Sequence, residues 1–159
     1  MGHMLSRRTL IGGTATIAIA TAATAQAIPR SIAVLPFATL SPDPENAYFA
    51  AGIHEEILNR LARIPDLRVI ARSSVVRYAN SDKSIKEIAK ELDVASILEG
   101  SVRTSGARAR ITVQLIDVES DRLMWSNTYD RQMGDTFTIE SEIADSVGSA
   151  VEAALSPGE

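Results

Sequence analysis

The chain has 159 residues, enough for one domain that buries its own core without covalent staples. It has no cysteine, which excludes disulfides, thiolate metal sites, cysteine nucleophiles and a lipid-modified N-terminal cysteine together. The net charge is −4, and beyond residue 27 the chain carries 14 basic against 20 acidic residues, a net charge of −6. This excludes nucleic acid as the expected main partner, because phosphate binding needs a basic face. Aromatics are only 4% of residues, so the core has to be built from Val, Ile, Leu and Ala.

Met1-Gly-His-Met4 reads as a cloning scar, set apart from the fold. A short basic pair follows, Arg7-Arg8, then the weakly apolar run TLIGGTATIAIATAATA and a small-x-small triplet, Ala25-Gln26-Ala27. These are the three regions of an export signal spanning residues 5–27, with cleavage expected after Ala27. Ser6 before the arginines and Leu10-Ile11 after them resemble a twin-arginine signal, although Gly12 replaces the usual Lys. As a transmembrane helix the run is short and rich in Gly and Thr for about 30 Å of hydrocarbon. As a surface helix it lacks a polar face. The expectation is a periplasmic mature protein, residues 28–156, with no membrane span after cleavage.

Ser31–Phe37 is an apolar run that reads as a buried strand ending at Pro36. Residues 38–46, ATLSPDPEN, are turn chemistry. From Ala47 to Ile64 the period becomes helical, with Phe49, Ile53, Ile57, Leu61 and Ile64 recurring every three or four positions and Pro65 as the stop. Leu67–Arg72 is a second strand, and SSVVRYANSDKS an irregular connector with room for a turn of helix. Ser84 with Glu87 forms a capping box for a helix whose stripe is Ile85, Ile88, Ala89 and Leu92. Three strands follow, over residues 94–106, 107–120 and 122–131. The middle one alternates Arg108, Arg110, Thr112 and Gln114 with Ala109, Ile111, Val113 and Leu115, so one face is wet and the other buried. TSGA and ESDR join them as tight hairpins. A last helix, about Phe137–Leu155, turns Ile139, Ile143, Val147 and Val151 inward. The order β-α-β-α-β-β-β-α implies an α/β (α+β) fold: right-handed parallel crossovers, then antiparallel hairpins, in one mixed five-stranded sheet covered by helices.

Catalytic chemistry is sparse. His54-Glu55-Glu56 lacks the second histidine of a zinc helix, since Leu58 stands there, and it reads as a polar helix face. Ser73-Ser74 has no nucleophile-elbow glycines. No phosphate loop or dinucleotide fingerprint is present. The expectation is no catalytic residue, no metal and no cofactor, hence not an enzyme.

The segments SIAVLPFATLSPDPENAYFAAGIHEEILNRLARIPDLRVIARSS and LDVASILEGSVRTSGARARITVQLIDVESDRLMWSNTYDR resemble the TolB amino-terminal-like domain, with AVLPF, YFAAGI, LEGSVR, QLID and a Trp followed by YDR as its most specific pieces. The resemblance covers about residues 31–155 and extends to FlgO-like and CsgG-like envelope modules. Ala51 and His54 stand where that family commonly has an acid and a Thr, and Ser120-Asp121 where it has Thr-Gly. The resemblance implies an α/β accessory module of bacterial envelope or signalling proteins, found in relatives beside adenylate cyclase, winged-helix and tetratricopeptide domains, with no catalytic motif of its own.

Within it, Gly52 marks a close approach or the true start of its helix, and Gly100 a bulge or close approach in a strand, with Glu99 turned in toward Arg72 or Arg103. Trp125, Tyr129, Asp130 and Arg131 form either a sheet-face anchor with a surface ion pair or a partner-contact patch. Two functions are expected from these readings. One is an exported module acting by contact with an envelope protein, or by homodimerisation through a sheet edge. The alternative is a small-ligand-sensing accessory domain of a signalling system with its pocket at the strand ends, and a hydrolase stands a distant third.

Overall fold

The computed structural model describes residues 12–17 and 30–156. Arg7, Arg8 and the cleavage point after Ala27 lie outside the described residues, and residues 12–17 are exposed and without regular structure. The remainder is an α/β domain with β1 (Arg30–Val34), β2 (Ala38–Thr39), α1 (Pro44–Leu61), β3 (Leu67–Val69), α2 (Arg72–Val75) continuing into a 3-10 turn (Val76–Tyr78), α3 (Ile85–Leu92), β4 (Ser96–Ser105), β5 (Arg108–Asp117), β6 (Arg122–Gln132) and α4 (Thr136–Leu155). No helix among the described residues is long and apolar enough to cross a membrane.

The sheet runs β3-β1-β4-β5-β6, with β2 also pairing to β4. β3, β1, β2 and β4 are mutually parallel where they pair, and β4-β5-β6 is an antiparallel meander. The chain moves from β1 out to β3 through α1, then back past β1 to β4 through α2 and α3. Two right-handed crossovers in opposite directions put their helices on opposite faces. The apolar contacts agree. Ile53, Ile57 and Leu61 of α1 share a core with Ile32, Val34, Leu98 and the inward face of β5. Ile88, Ala89 and Leu92 of α3 pack with Ala33, Leu35 and Ile97 on the other side. α4 returns to the first face and lays Ile139, Ile143, Val147 and Val151 beside α1. Each fully buried Ile or Leu of this core contributes about 1.5–3 kcal/mol relative to exposure.

The helical stripes read from the sequence are buried as expected apart from Ile85, which is half-buried, and the capping box of α3 forms, Ser84 accepting from Glu87 N–H at 3.2 Å and Glu87 from Ser84 N–H at 2.9 Å. Several expectations change. The sheet has six strands rather than five, because Ala38 and Thr39, read as turn, pair with Ser101 and Val102 of β4. The helix expected from Ala47 begins at Pro44: Asp43 accepts from Glu45 N–H at 3.0 Å and Pro44 occupies the first turn, where its missing N–H costs nothing. The second strand stops at Val69, so that Arg72 opens α2.

Gly52 lies inside α1, not at its start, and Gly100 lies in unbroken β4–β5 register rather than at a bulge. The irregularity of the meander is instead between β5 and β6, where Leu115 pairs with Trp125 and Ile116 with Leu123, leaving Met124 extra. Gly100 is there because the Phe37 ring lies on it. A Cβ at that position would stand 2.7 Å from both Phe37 Cε2 and the Thr112 carbonyl oxygen. The backbone oxygen cannot yield without breaking the sheet, so Gly100→Ala should cost about 1–3 kcal/mol, the usual range for overpacking. The urea midpoint of the variant measures it, and an unchanged midpoint would mean that Phe37 is not held against β4.

Candidate functional site

The described residues form a cleft of about 460 Å³ beside the ends of β1 and β3, where the chain leaves β1 through Leu35-Pro36-Phe37. Ligands of open α/β sheets characteristically bind outside the carboxyl ends of parallel strands. His54, Arg72, Tyr78, Lys83 and Glu99 bring polar and charged groups to it, and Leu35, Phe37 and Ile88 supply apolar wall.

His54 is buried, only 3% exposed. It therefore does not lie on a polar helix face, as HEE alone implied, but on the inward side of α1. The reason is a missing strand residue. The Ile32 carbonyl accepts from Ile70 N–H at 3.1 Å, just past the end of β3. The Val34 carbonyl, two residues on, points the same way and has no further β3 residue to meet. His54 Nε2–H donates to it at 2.8 Å and satisfies a group whose burial unpaired would be costly. This bond fixes Nδ1 as the acceptor nitrogen. Burial holds the imidazole below its ordinary value of 6.5, the Val34 bond opposes that, Arg72 lowers it further and Glu55 raises it. His54 is a neutral structural donor here.

Glu99 projects from β4 half-buried, and burial raises its carboxyl above the ordinary range. It forms no ion pair with Arg72 or Arg103, contrary to the sequence expectation. Ser73 and Ser74 are exposed on α2 and border a different depression, with Arg77 and Glu91. No group of three or more His, Cys, Asp or Glu among the described residues is placed to hold a metal ion. The cleft is thus equipped to bind through hydrogen bonds, with Arg72 and Lys83 as its cationic side chains.

The four residues singled out on the last hairpin are divided between two faces. Tyr129 is 5% exposed in the core and its hydroxyl lies 2.8 Å from Ser146 Oγ on α4. Trp125 points to the same face and packs, half-buried, at the margin of that core. Arg131 stacks at 5.7 Å from the Tyr129 ring centroid and pairs with Glu142 at 3.5 Å. Asp130 turns the other way, where Arg110 grips it with bonds of 2.7 and 3.2 Å and holds its carboxyl below the usual range. That second face of the meander is polar and, among the described residues, carries no helix: Arg103, Arg110, Ser126, Thr128 and Asp130 are exposed on it. Beyond it, β6 has a partner among the described residues, β5, along one side only.

Residues 28–146 match the family described as the second domain of HilA/YgeH-like transcriptional regulators, and the chain belongs to that domain family. A Rhizobium meliloti (strain 1021) protein named as an adenylate cyclase is 41% identical over 129 residues, 81% of this chain and 22% of that protein. The chain therefore spans about a fifth of the length of that curated relative.

Among solved structures, TolB from Acinetobacter baumannii superposes with a TM-score of 0.56 at 13% identity, covering 78% of this chain and 28% of that one. A lipoprotein from Neisseria meningitidis does so at 0.55 and 15%, covering 80% and 100%. The PelC dodecamer from Paraburkholderia phytofirmans gives 0.52 and 17%, covering 80% and 89%. The TolB likeness read from the sequence is thus met in the fold, while the matching family bears a different name. Neither Gly52 nor Glu140, discussed below, stood out as a pair in the sequence, because the two are 88 positions apart.

The His54 arrangement predicts acid sensitivity. A histidine whose folded value is depressed binds fewer protons folded than unfolded, so its contribution is complete above 6.5 and is lost as pH falls below that toward the folded value. Unfolding free energy should decline across this window in the wild type. The decline should be absent in His54→Gln. Equal slopes in the two proteins, measured by urea unfolding at pH 5 to 7.5, would contradict the assignment.

Proposed function

We propose that the chain is an exported, non-catalytic module of the bacterial envelope that acts by protein–protein contact. The observation that carries this reading is the uncovered polar face of the β4-β5-β6 meander together with the one-sided strand β6. A strand with one row of unpaired backbone groups is a ready template for a further strand, and natural proteins cover or charge such edges when they do not use them. Here Arg122, Asp130 and Arg131 charge its two ends, while Ser126, Asn127 and Thr128 leave the middle neutral. The contact surface includes this exposed edge near Asp130 and Arg131, with Trp125 and Tyr129 anchoring the strand from behind.

Export rests on the Arg7-Arg8 signal with cleavage after Ala27, and the family match beginning at residue 28 supports that boundary. The likeness in fold to a lipoprotein and to a dodecameric assembly supports an envelope setting and action by assembly. Partner identity is left to experiment, and a second copy through the β6 edge is included. A second reading, small-ligand sensing, is favoured by the strand-end cleft with His54, Arg72 and Glu99.

Capture from envelope extracts separates the two. Ser126→Lys with Thr128→Lys puts two charges on the open face, away from the core, and should leave stability within about 0.5 kcal/mol. It should reduce the captured protein at least about tenfold, as should disruption of an interface centre. Retained capture by this variant, with loss on Arg72→Ala or Glu99→Gln, would move the site to the cleft.

A further inference from the structure

α1 and α4 run side by side in the same direction, and each carries a glycine under a charged side chain of the other. A Cβ at Gly148 would lie 2.5 Å from Arg60 Cγ, and one at Gly52 would lie 2.5 Å from Glu140 Cδ. The two contacts differ in kind. Arg60 reaches Asp145 at 3.6 Å and Glu152 at 3.9 Å. Glu140 has no hydrogen-bond or ion-pair partner among the described residues, although it is only 7% exposed. Its carboxylate oxygens are not among the fully buried unpaired atoms and keep contact with the cleft; a largely desolvated carboxylate without a donor is a candidate ligand group. Burial raises its carboxyl, and Glu56 and Glu55 raise it further.

Glu140 opens into a cleft of about 520 Å³ between α1 and the start of α4. Glu45, Glu55 and Glu56 also border this cleft, and no Lys or Arg does. Tyr48 from α1 and Phe137 from α4 stand at it 80% and 78% exposed, an unusual state for two of the chain's few aromatics. Acidic groups, a desolvated carboxylate and bare rings together match one chemistry. A guanidinium is planar, weakly hydrated, stacks on aromatic faces and forks onto a carboxylate.

We propose that this cleft receives an arginine side chain of a protein partner, held by the Glu140 carboxylate between Tyr48 and Phe137. The proposal rests on the reading of the chain as a contact module. It fails separately from the meander surface, because loss of guanidinium binding leaves capture through β6 intact.

The full chain, isotope-labelled, is titrated by NMR with N-acetyl-arginine amide, and in parallel with free arginine and with calcium chloride. Saturable shifts at Gly52, Met133 and Phe137 are expected with the capped arginine, and weaker ones with the free amino acid, whose carboxylate meets the acidic rim. Glu140→Gln should weaken binding at least about tenfold, the loss of one charge-assisted bond. The variant keeps the shape of the side chain and removes an unpaired charge, so its urea midpoint at neutral pH should be equal or higher. Phe137→Ala, at an exposed position, should weaken binding about threefold or more with the fold unchanged, within the range of an exposed cation–π contact. Absence of shifts at these residues would overturn the proposal. So would unchanged affinity in Glu140→Gln, tighter binding of free arginine than of the amide, or calcium binding in place of arginine.

Discussion

Parallel strands need shielding on both faces, whereas an antiparallel meander needs cover on only one. This constraint shapes the molecule. β3, β1 and the start of β4 lie between α1 and α4 on one side and α2 and α3 on the other. β5 and β6 receive only α1 and α4. Their second face alternates into Arg110, Thr112, Gln114, Ser126, Thr128 and Asp130, which need water or a partner rather than a helix. The same asymmetry explains the two clefts. One opens where the short β3 stops before β1 does and leaves the Val34 carbonyl to His54. The other opens where α1 and α4, side by side on the covered face, are held close by glycine at Gly52.

Periodicity made most of this architecture legible in the sequence. The stripes of α1, α3 and α4 and the alternation of β5 depend on burial alone, and burial is written locally as spacing. What was not legible depends on residues far apart. Ala38-Thr39 looks like turn because its pairing with Ser101-Val102 is a tertiary event. Gly100 could be recognised as a close approach, but that the intruder is Phe37 could not. His54 looked solvated because two glutamates follow it, yet its helix face is set by Ile53 and Ile57 beside it. Asp43-Pro44, in contrast, was a readable helix start that the surrounding prolines disguised as turn.

The candidate contact residues show the same limit. Trp125, Tyr129, Asp130 and Arg131 are adjacent in sequence, but a strand sends alternate side chains to opposite faces. Tyr129 is thereby committed to the core and to Ser146, and Asp130 to Arg110. What these residues leave exposed is the backbone edge of β6 and a polar face. The family to which the domain belongs is named for regulators and its curated relative for a cyclase, and this chain covers only 22% of that relative.

The central claim, that this domain is exported and works by contact through the meander, is tested most directly inside cells. A photo-crosslinking amino acid is placed at Ser126, exposed on the open face of β6, and at exposed Ser74 on α2 as control, in the full chain. The account predicts cross-linked protein adducts from Ser126 in the periplasmic fraction, few from Ser74, and none in that fraction when Arg7 and Arg8 are both changed to Lys. Adducts equal at the two positions, or none at Ser126, would contradict the contact surface, and undiminished periplasmic adducts from the Lys variant would contradict twin-arginine export.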